Sequence, residues 1–237
     1  MIQLRRRTVV LVSTLAAVGG AVGMIAAAPA ANAASAAKVC AVPRGAKVNV
    51  EGTSGIVYNV RLRKRHTYRE HAFFVCSKLT GRRVKLGVVG DPCNELAGIA
   101  PLVLAGTYLA WVSTDEQCQE AGETVYADGH LMDLRTGASL PNPFQIVEGG
   151  VPAGGLVLSQ DGAMGWIARF YNHQGLKVDF QVWESDASGA RQLASGPGIA
   201  PASLALTDTT LSWSDGGQLQ STPIGPGPAT RARLPLG

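Results

Sequence analysis

Apolar residues alternate with small or polar ones through four separate stretches of this chain, and the four are built alike. They read VNVEGTSGIVY (48–58), LVLAGTYLAW (102–111), LVLSQDGAMGW (156–166) and LALTDTTLSW (204–213). In each, a short run ends at Val50, Leu104, Leu158 or Leu206. A few small or polar residues intervene, and a second run reaches an aromatic residue at Tyr58, Trp111, Trp166 or Trp213. Period-two alternation marks a strand with one buried face. The Gly- or Asp-bearing links supply the backbone conformations of a tight turn. Each stretch therefore predicts a β-hairpin.

The segments after the hairpins also recur. HAFFVCSKLTG, ETVYADGHLMDLRTG and DFQVWESDASG each predict a third strand, closing at Gly81, Gly137 and Gly189. RRVKLG, ASLPNPFQIV and ARQLASG predict a fourth. The last unit is thinner, with GGQLQSTPIG and then ATRARLPLG. The aromatic marks lie 53, 55 and 47 residues apart, a period at which four-stranded units form the blades of a β-propeller. A lone sheet leaves a face exposed to water, so neighbours must stack. The expectation is an all-β protein of four consecutive four-stranded antiparallel blades, at about 46–90, 98–148, 152–196 and 200–237. They form one β-propeller-like domain over 46–237, as a closed small ring or an open arc. A dimer that completes the ring and a two-sheet sandwich are the alternatives. The tryptophans then form core between blades, because they recur at one structural position.

The stretch LSQDGAMGWIARF…DFQVWESDASGARQLASG, Leu158 to Gly196, resembles the blades of bacterial TolB-type propellers, which are similar to those beside the peptidase domains of the dipeptidyl-peptidase family. The shared features are the Asp161-Gly162 turn, the aromatic Trp166, the Asp186–Gly189 closure and Arg191 to Leu193 in the fourth strand. The resemblance is good over the third unit and looser elsewhere. It implies a fold and no activity.

The head of the chain changes the charge balance. Arg5, Arg6 and Arg7 precede an apolar run from about Thr8 to Ala28, and Ala31-Asn32-Ala33 comes next. That order predicts a cleavable signal peptide over 1–33, with a short segment, 34–45, before the domain. Sec and twin-arginine export both remain open. The whole chain has 21 basic and 17 acidic residues; without the three signal arginines it has 18 basic and 17 acidic. The basic balance therefore belongs mostly to the signal and does not point to nucleic acid. No second stretch is long and apolar enough to span a membrane. The expected location is extracellular, at the surface or free.

Four cysteines, Cys40, Cys76, Cys93 and Cys118, predict disulfides in an oxidising compartment, with three connectivities available. In the blade model Cys93 and Cys118 lie in loops on one face. The favoured pairs are therefore Cys93–Cys118 and Cys40–Cys76, with residues 34–46 as a loose clasp held by Cys40.

The candidate chemistry lies in the polar segments between second and third strands, at 61–71, 113–123 and 169–177. Charge is divided unevenly: Lys38 to Gly87 carries 12 basic and 2 acidic residues, while Val88 to Gly237 carries 6 and 15. Either the first unit offers a patch to an anionic partner, or it packs against acidic neighbours. The candidate binding-face residues are Arg63, Lys64, Arg65, Arg69, Asp115 and Glu116. A speculative metal site would draw on His66, His71, Glu120 and His173, since imidazole and carboxylate suit zinc. The spacing contains no tight ligand motif, no G-x-S-x-G elbow, no phosphate-cradling glycine loop and no C-x-x-C pair. No catalytic residue and no cofactor are expected. Asp133 and Asp186 close third strands and are expected to stabilise turns. The first expectation is thus an exported, non-enzymatic binding protein whose partner is a macromolecule, an anionic envelope polymer or an acidic protein. A metal-dependent or small-ligand hydrolase and a structural envelope component are the alternatives.

Overall fold

The computed structural model describes residues 40–62, 69–90, 96–119, 122–140, 145–146, 151–171 and 178–228. Its strands form four antiparallel sheets, each made of consecutive strands. The first sheet runs β1 (Lys47–Glu51), β2 (Gly55–Arg61), β3 (His71–Ser77) and β4 (Arg83–Val89). The second runs β5 (Gly98–Ala105), β6 (Tyr108–Gln119) and β7 (Gly122–Asp133), with β8 (Ala138–Ser139) and β9 (Gln145–Ile146) both paired to β7. The third runs β10 (Val151–Leu158), β11 (Met164–Tyr171), β12 (Val178–Asp186) and β13 (Gly189–Gly196). A short 3-10 turn, Pro201–Ser203, leads to the fourth: β14 (Ala205–Thr207), β15 (Thr210–Asp215) and β16 (Gln218–Pro223).

All four expected hairpins form, β1 with β2, β5 with β6, β10 with β11 and β14 with β15. In the first three a register shift interrupts the first strand, between Val48 and Val50, Ile99 and Leu102, and Pro152 and Leu156. Such bulges sharpen the local twist. Gly81, Gly137 and Gly189 have φ of 73°, 68° and 112°. The turn into the fourth strand passes through the left-handed region, which a Cβ disfavours. That is the physical reason a glycine recurs there.

Two expectations need correction. The fourth strand of the second sheet is described as two pieces, β8 and β9, each paired with β7. The fourth sheet has three strands among the described residues, and the expected fourth, at 229–237, lies outside them. The segment 113–123 is not the expected loop; β6 and β7 pair continuously from Tyr108↔Asp133 to Gln119↔Gly122. Their polar side chains carry no apolar alternation, yet the ladder satisfies the backbone of both strands.

The sheets stack in series, and residue parity shows how. Leu109 and Trp111 of β6 join Val57 and Val75 of the first sheet in one core. Their neighbours Tyr108, Ala110 and Val112 point the opposite way and meet Met164 and Trp166 of the third sheet. Ile167 of β11 and Val182 of β12 in turn meet Leu211 and Trp213 of the fourth. Each tryptophan thus faces the preceding sheet, as expected from its recurrence. The first strands adjoin in order, β1 to β5, β5 to β10 and β10 to β14. The arrangement is all-β and consistent with a propeller-like one.

Tyr58 holds the equivalent position in the first sheet, and among the described residues no sheet lies ahead of it. Its face is covered instead by residues 40–46: Cys40, Val42 and Ala46 pack with Ile56, Tyr58 and Cys76. Cys40 and Cys76 are bonded, with Cα atoms 5.7 Å apart. This is the expected second disulfide, and it fastens the clasp. Cys93 lies outside the described residues, as do the signal segment and residues 34–39. No helix among the described residues is long and apolar enough to cross a membrane.

Candidate functional site

The second-to-third-strand connections leave three sheets from equivalent ends. In the first sheet the Leu62 N–H donates to the Glu70 carbonyl at 2.9 Å, closing the base of segment 63–68. Arg63, Lys64, Arg65 and His66 lie in that segment, outside the described residues, as do Glu120 and His173. Arg61 and Arg69 flank the segment and are exposed. Asp115 is exposed on β6, paired across the ladder with Tyr126. Glu116 is next on the same strand, opposite Val125. Asp115 and Glu116 are therefore ladder residues of a hairpin and not loop residues.

His71 opens β3, between Arg61 and Val89 on the flanking strands. Its Nδ1 is buried without a hydrogen-bond partner. Among the described residues no three of His, Cys, Asp and Glu converge in a way that could hold a metal ion. The rest of the speculative metal set lies outside those residues.

One pairing escaped the sequence. Ser113 Oγ and His130 Nε2 share a hydrogen bond of 2.7 Å. Trp111 and His130 are directly opposite in the ladder, and so are Ser113 and Asp128. The His130 imidazole stacks on Trp111, with centroids 4.7 Å apart. Burial pushes its pKa below the ordinary histidine value, and the Asp128 charge opposes that only in part. A serine hydrogen-bonded to a neutral imidazole is the chemistry of an activated nucleophile. Here, however, Ser113 is only 6% exposed and the imidazole is roofed by indole. The pair packs within the sheet, with Ser113 buried and His130 half-buried. Only the β6–β7 register brings these residues together, so sequence spacing carried no signal for them.

At the opposite end of the sheets the acidic residues serve the turns. Asp133 accepts the Arg135 backbone N–H at 2.9 Å and pairs with the Arg135 guanidinium at 2.6 Å. Burial alone would raise this carboxyl. The Arg135 hydrogen bonds and charge outweigh burial and hold it below the usual carboxylate range. Asp186 accepts the Ser188 N–H at 2.7 Å. Asp161 accepts the Gly227 N–H at 2.9 Å, and the Ala187 N–H donates to the Pro226 carbonyl at 2.8 Å. Burial again opposes ionisation of Asp161, and its bonds from Ser159, Gly227 and Ala163 overcome it. These contacts latch the segment after β16 onto the turns of the third sheet. Arg82 reaches the second sheet in a similar way, donating to the Thr136 carbonyl at 2.7 Å.

The charge division has a structural counterpart. Three ion pairs occur among the described residues: Lys78–Glu51, Arg135–Asp133 and Arg191–Glu184. Each stays inside one sheet. The described cations of the first sheet that reach out of it, Arg82 and Arg83, bond backbone carbonyls.

No protein-family model matches the chain, and no curated protein matches it in sequence.

Proposed function

We propose that this chain is an exported, non-enzymatic binding protein that holds an anionic macromolecule at the loop end of its first sheet. The observation that carries the reading is the pattern of ion pairing. Residues 38–87 hold 12 of the chain's 21 lysines and arginines, and among the described residues no ion pair joins one of them to an acid of another sheet. Arg61 and Arg69 stand exposed at the base of a segment that adds Arg63, Lys64 and Arg65. A cluster of one sign attracts polyanions over about a Debye length. Export is supported by the N-terminal pattern and by the bonded Cys40–Cys76 pair, which belongs to oxidising compartments.

The finer reading of the fold belongs to the same proposal. The blades are of TolB type, supported by the latched Asp161 and Asp186 turns of the third unit. The four sheets form an open arc, supported by the disulfide-fastened clasp on the outward face of the first.

The test is retention on an anionic cell-wall fraction over a salt gradient. The protein should bind at low salt and elute as salt rises. Joint charge reversal of Arg63, Lys64 and Arg65 should abolish retention while the melting temperature stays unchanged. Equal retention of the reversed variant contradicts the reading.

A further inference from the structure

The outward face of the first sheet has the side chains of an inter-sheet core but carries no sheet among the described residues. In the other three sheets, the face bearing the aromatic of the second strand is filled by its predecessor. Here, among the described residues, Cys40, Val42 and Ala46 pack with Ile56, Tyr58 and Cys76. Beside them remains a cavity of about 460 Å³, within the size range of small-molecule sites.

Three strands build its floor in a fixed order. Tyr58, Val60 and Leu62 occupy alternate positions along β2 and its end. Phe74 of β3 lies opposite Tyr58, ring over ring, with centroids 5.7 Å apart. Arg83 and Lys85 of β4 lie opposite Cys76 and Phe74 and form the charged margin. Pro43 of the clasp forms a wall. The Arg83 guanidinium donates to the Ala41 carbonyl at 2.7 Å, which fixes it against the clasp. Lys85 is exposed. The lining therefore combines an aliphatic and aromatic floor with two cations and no acid.

We propose that this cavity binds a small amphipathic carboxylate, a medium-chain acyl or aryl acid. Its apolar body would lie on Tyr58, Phe74 and Val60, with its carboxylate at Lys85 and Arg83. An apolar body without charge would leave both cations unmatched. A bare anion would leave the floor wet. The pairing of floor and margin selects a ligand carrying both features. None of the arginines of the proposed macromolecular contact is among the residues lining this cavity.

The test is displacement of the fluorescent probe 1-anilinonaphthalene-8-sulfonate from the purified, disulfide-bonded protein. Octanoate, decanoate and dodecanoate serve as competitors, and decanol as the uncharged control. Affinity should rise about two- to four-fold per methylene added. Decanol should compete at least about ten-fold more weakly than decanoate, and Lys85→Glu should weaken decanoate by a similar factor. Val60→Arg, which fills the cavity, should abolish displaceable probe binding while leaving the fold intact by circular dichroism. The proposal is overturned if decanoate displaces no probe or if decanol matches it. It is equally overturned if Lys85→Glu changes nothing, or if the protein binds anionic phospholipid vesicles and no free carboxylate. Reversal of Arg63, Lys64 and Arg65 should leave decanoate binding unchanged, which separates this site from the loop-end contact.

Discussion

Trp111 lies over His130 with ring planes 15° from parallel, and the same relationship recurs on either side of it. Tyr58 stacks on Phe74 at 5.7 Å and Trp166 on Trp183 at 6.0 Å. In the fourth sheet Trp213 faces Gln220 across the ladder. The recurring aromatic thus meets a cross-strand neighbour within its own sheet, and Trp111, Trp166 and Trp213 also meet the sheet before, whereas Tyr58 meets residues 40–46. Both roles explain why the position is occupied by the largest side chains in the chain.

Truncating such a residue should be costly because two interfaces lose their filling. Trp166 is 2% exposed, in the core between the second and third sheets. Trp166→Ala should destabilise by about 3–5 kcal/mol, read from urea unfolding. Leu219→Ala, at a residue 77% exposed, should change stability by less than about 0.5 kcal/mol. Similar effects for the two variants would contradict the packing described.

The Cys40–Cys76 bond spans 36 residues, and loop-closure entropy for that length is worth about 3–4 kcal/mol. Reduction, or Cys40→Ser, should lower the melting temperature accordingly. It should also raise proteolysis ahead of Lys47, because the clasp then rests on the contacts of Val42 and Ala46 and on the Arg83–Ala41 hydrogen bond. A reduced protein that melts with the oxidised one and resists cleavage there would show that the clasp needs no staple.

His130 makes stability depend on pH near neutrality. Its folded pKa is depressed by burial, so on acidification the unfolded chain takes the proton first. Its contribution is present above the unfolded value of about 6.5 and is lost as pH falls through the folded value. Unfolding free energy should therefore decline between about pH 6.5 and the lowered pKa. His130→Phe keeps a ring beside Trp111 and should flatten that segment of the profile. An unchanged slope in this variant would place the titration elsewhere.

Strands and turns were legible because their signals are local. Alternation in VNVEGTSGIVY and LVLAGTYLAW results from one buried face, and Gly81, Gly137 and Gly189 recur because their φ is positive. The extent of β6 and β7 was not legible, since the sequence from Ser113 to Gln119 has no apolar alternation and its place in the sheet is set by register. The Ser113–His130 bond and the Arg83–Lys85 margin depend on register and on which face stays uncovered. Neither is a property of neighbours in sequence. The clasp was legible only as a cysteine ahead of the first strand; its apolar contacts through Val42 and Ala46 needed the structure.

Stacking of separate sheets is the claim on which the account rests, and Gly165 and Leu211 test it most directly. They lie 46 positions apart, on β11 and β15, and a Cβ on Gly165 would fall 2.6 Å from a Leu211 methyl. Leu211 is fully buried. A double-mutant cycle in urea should show Gly165→Ala destabilising by about 1–3 kcal/mol in the native background. With Leu211→Ala already present, the same change should cost at least about 1 kcal/mol less. Additive effects of the two substitutions would mean that the third and fourth sheets do not meet there.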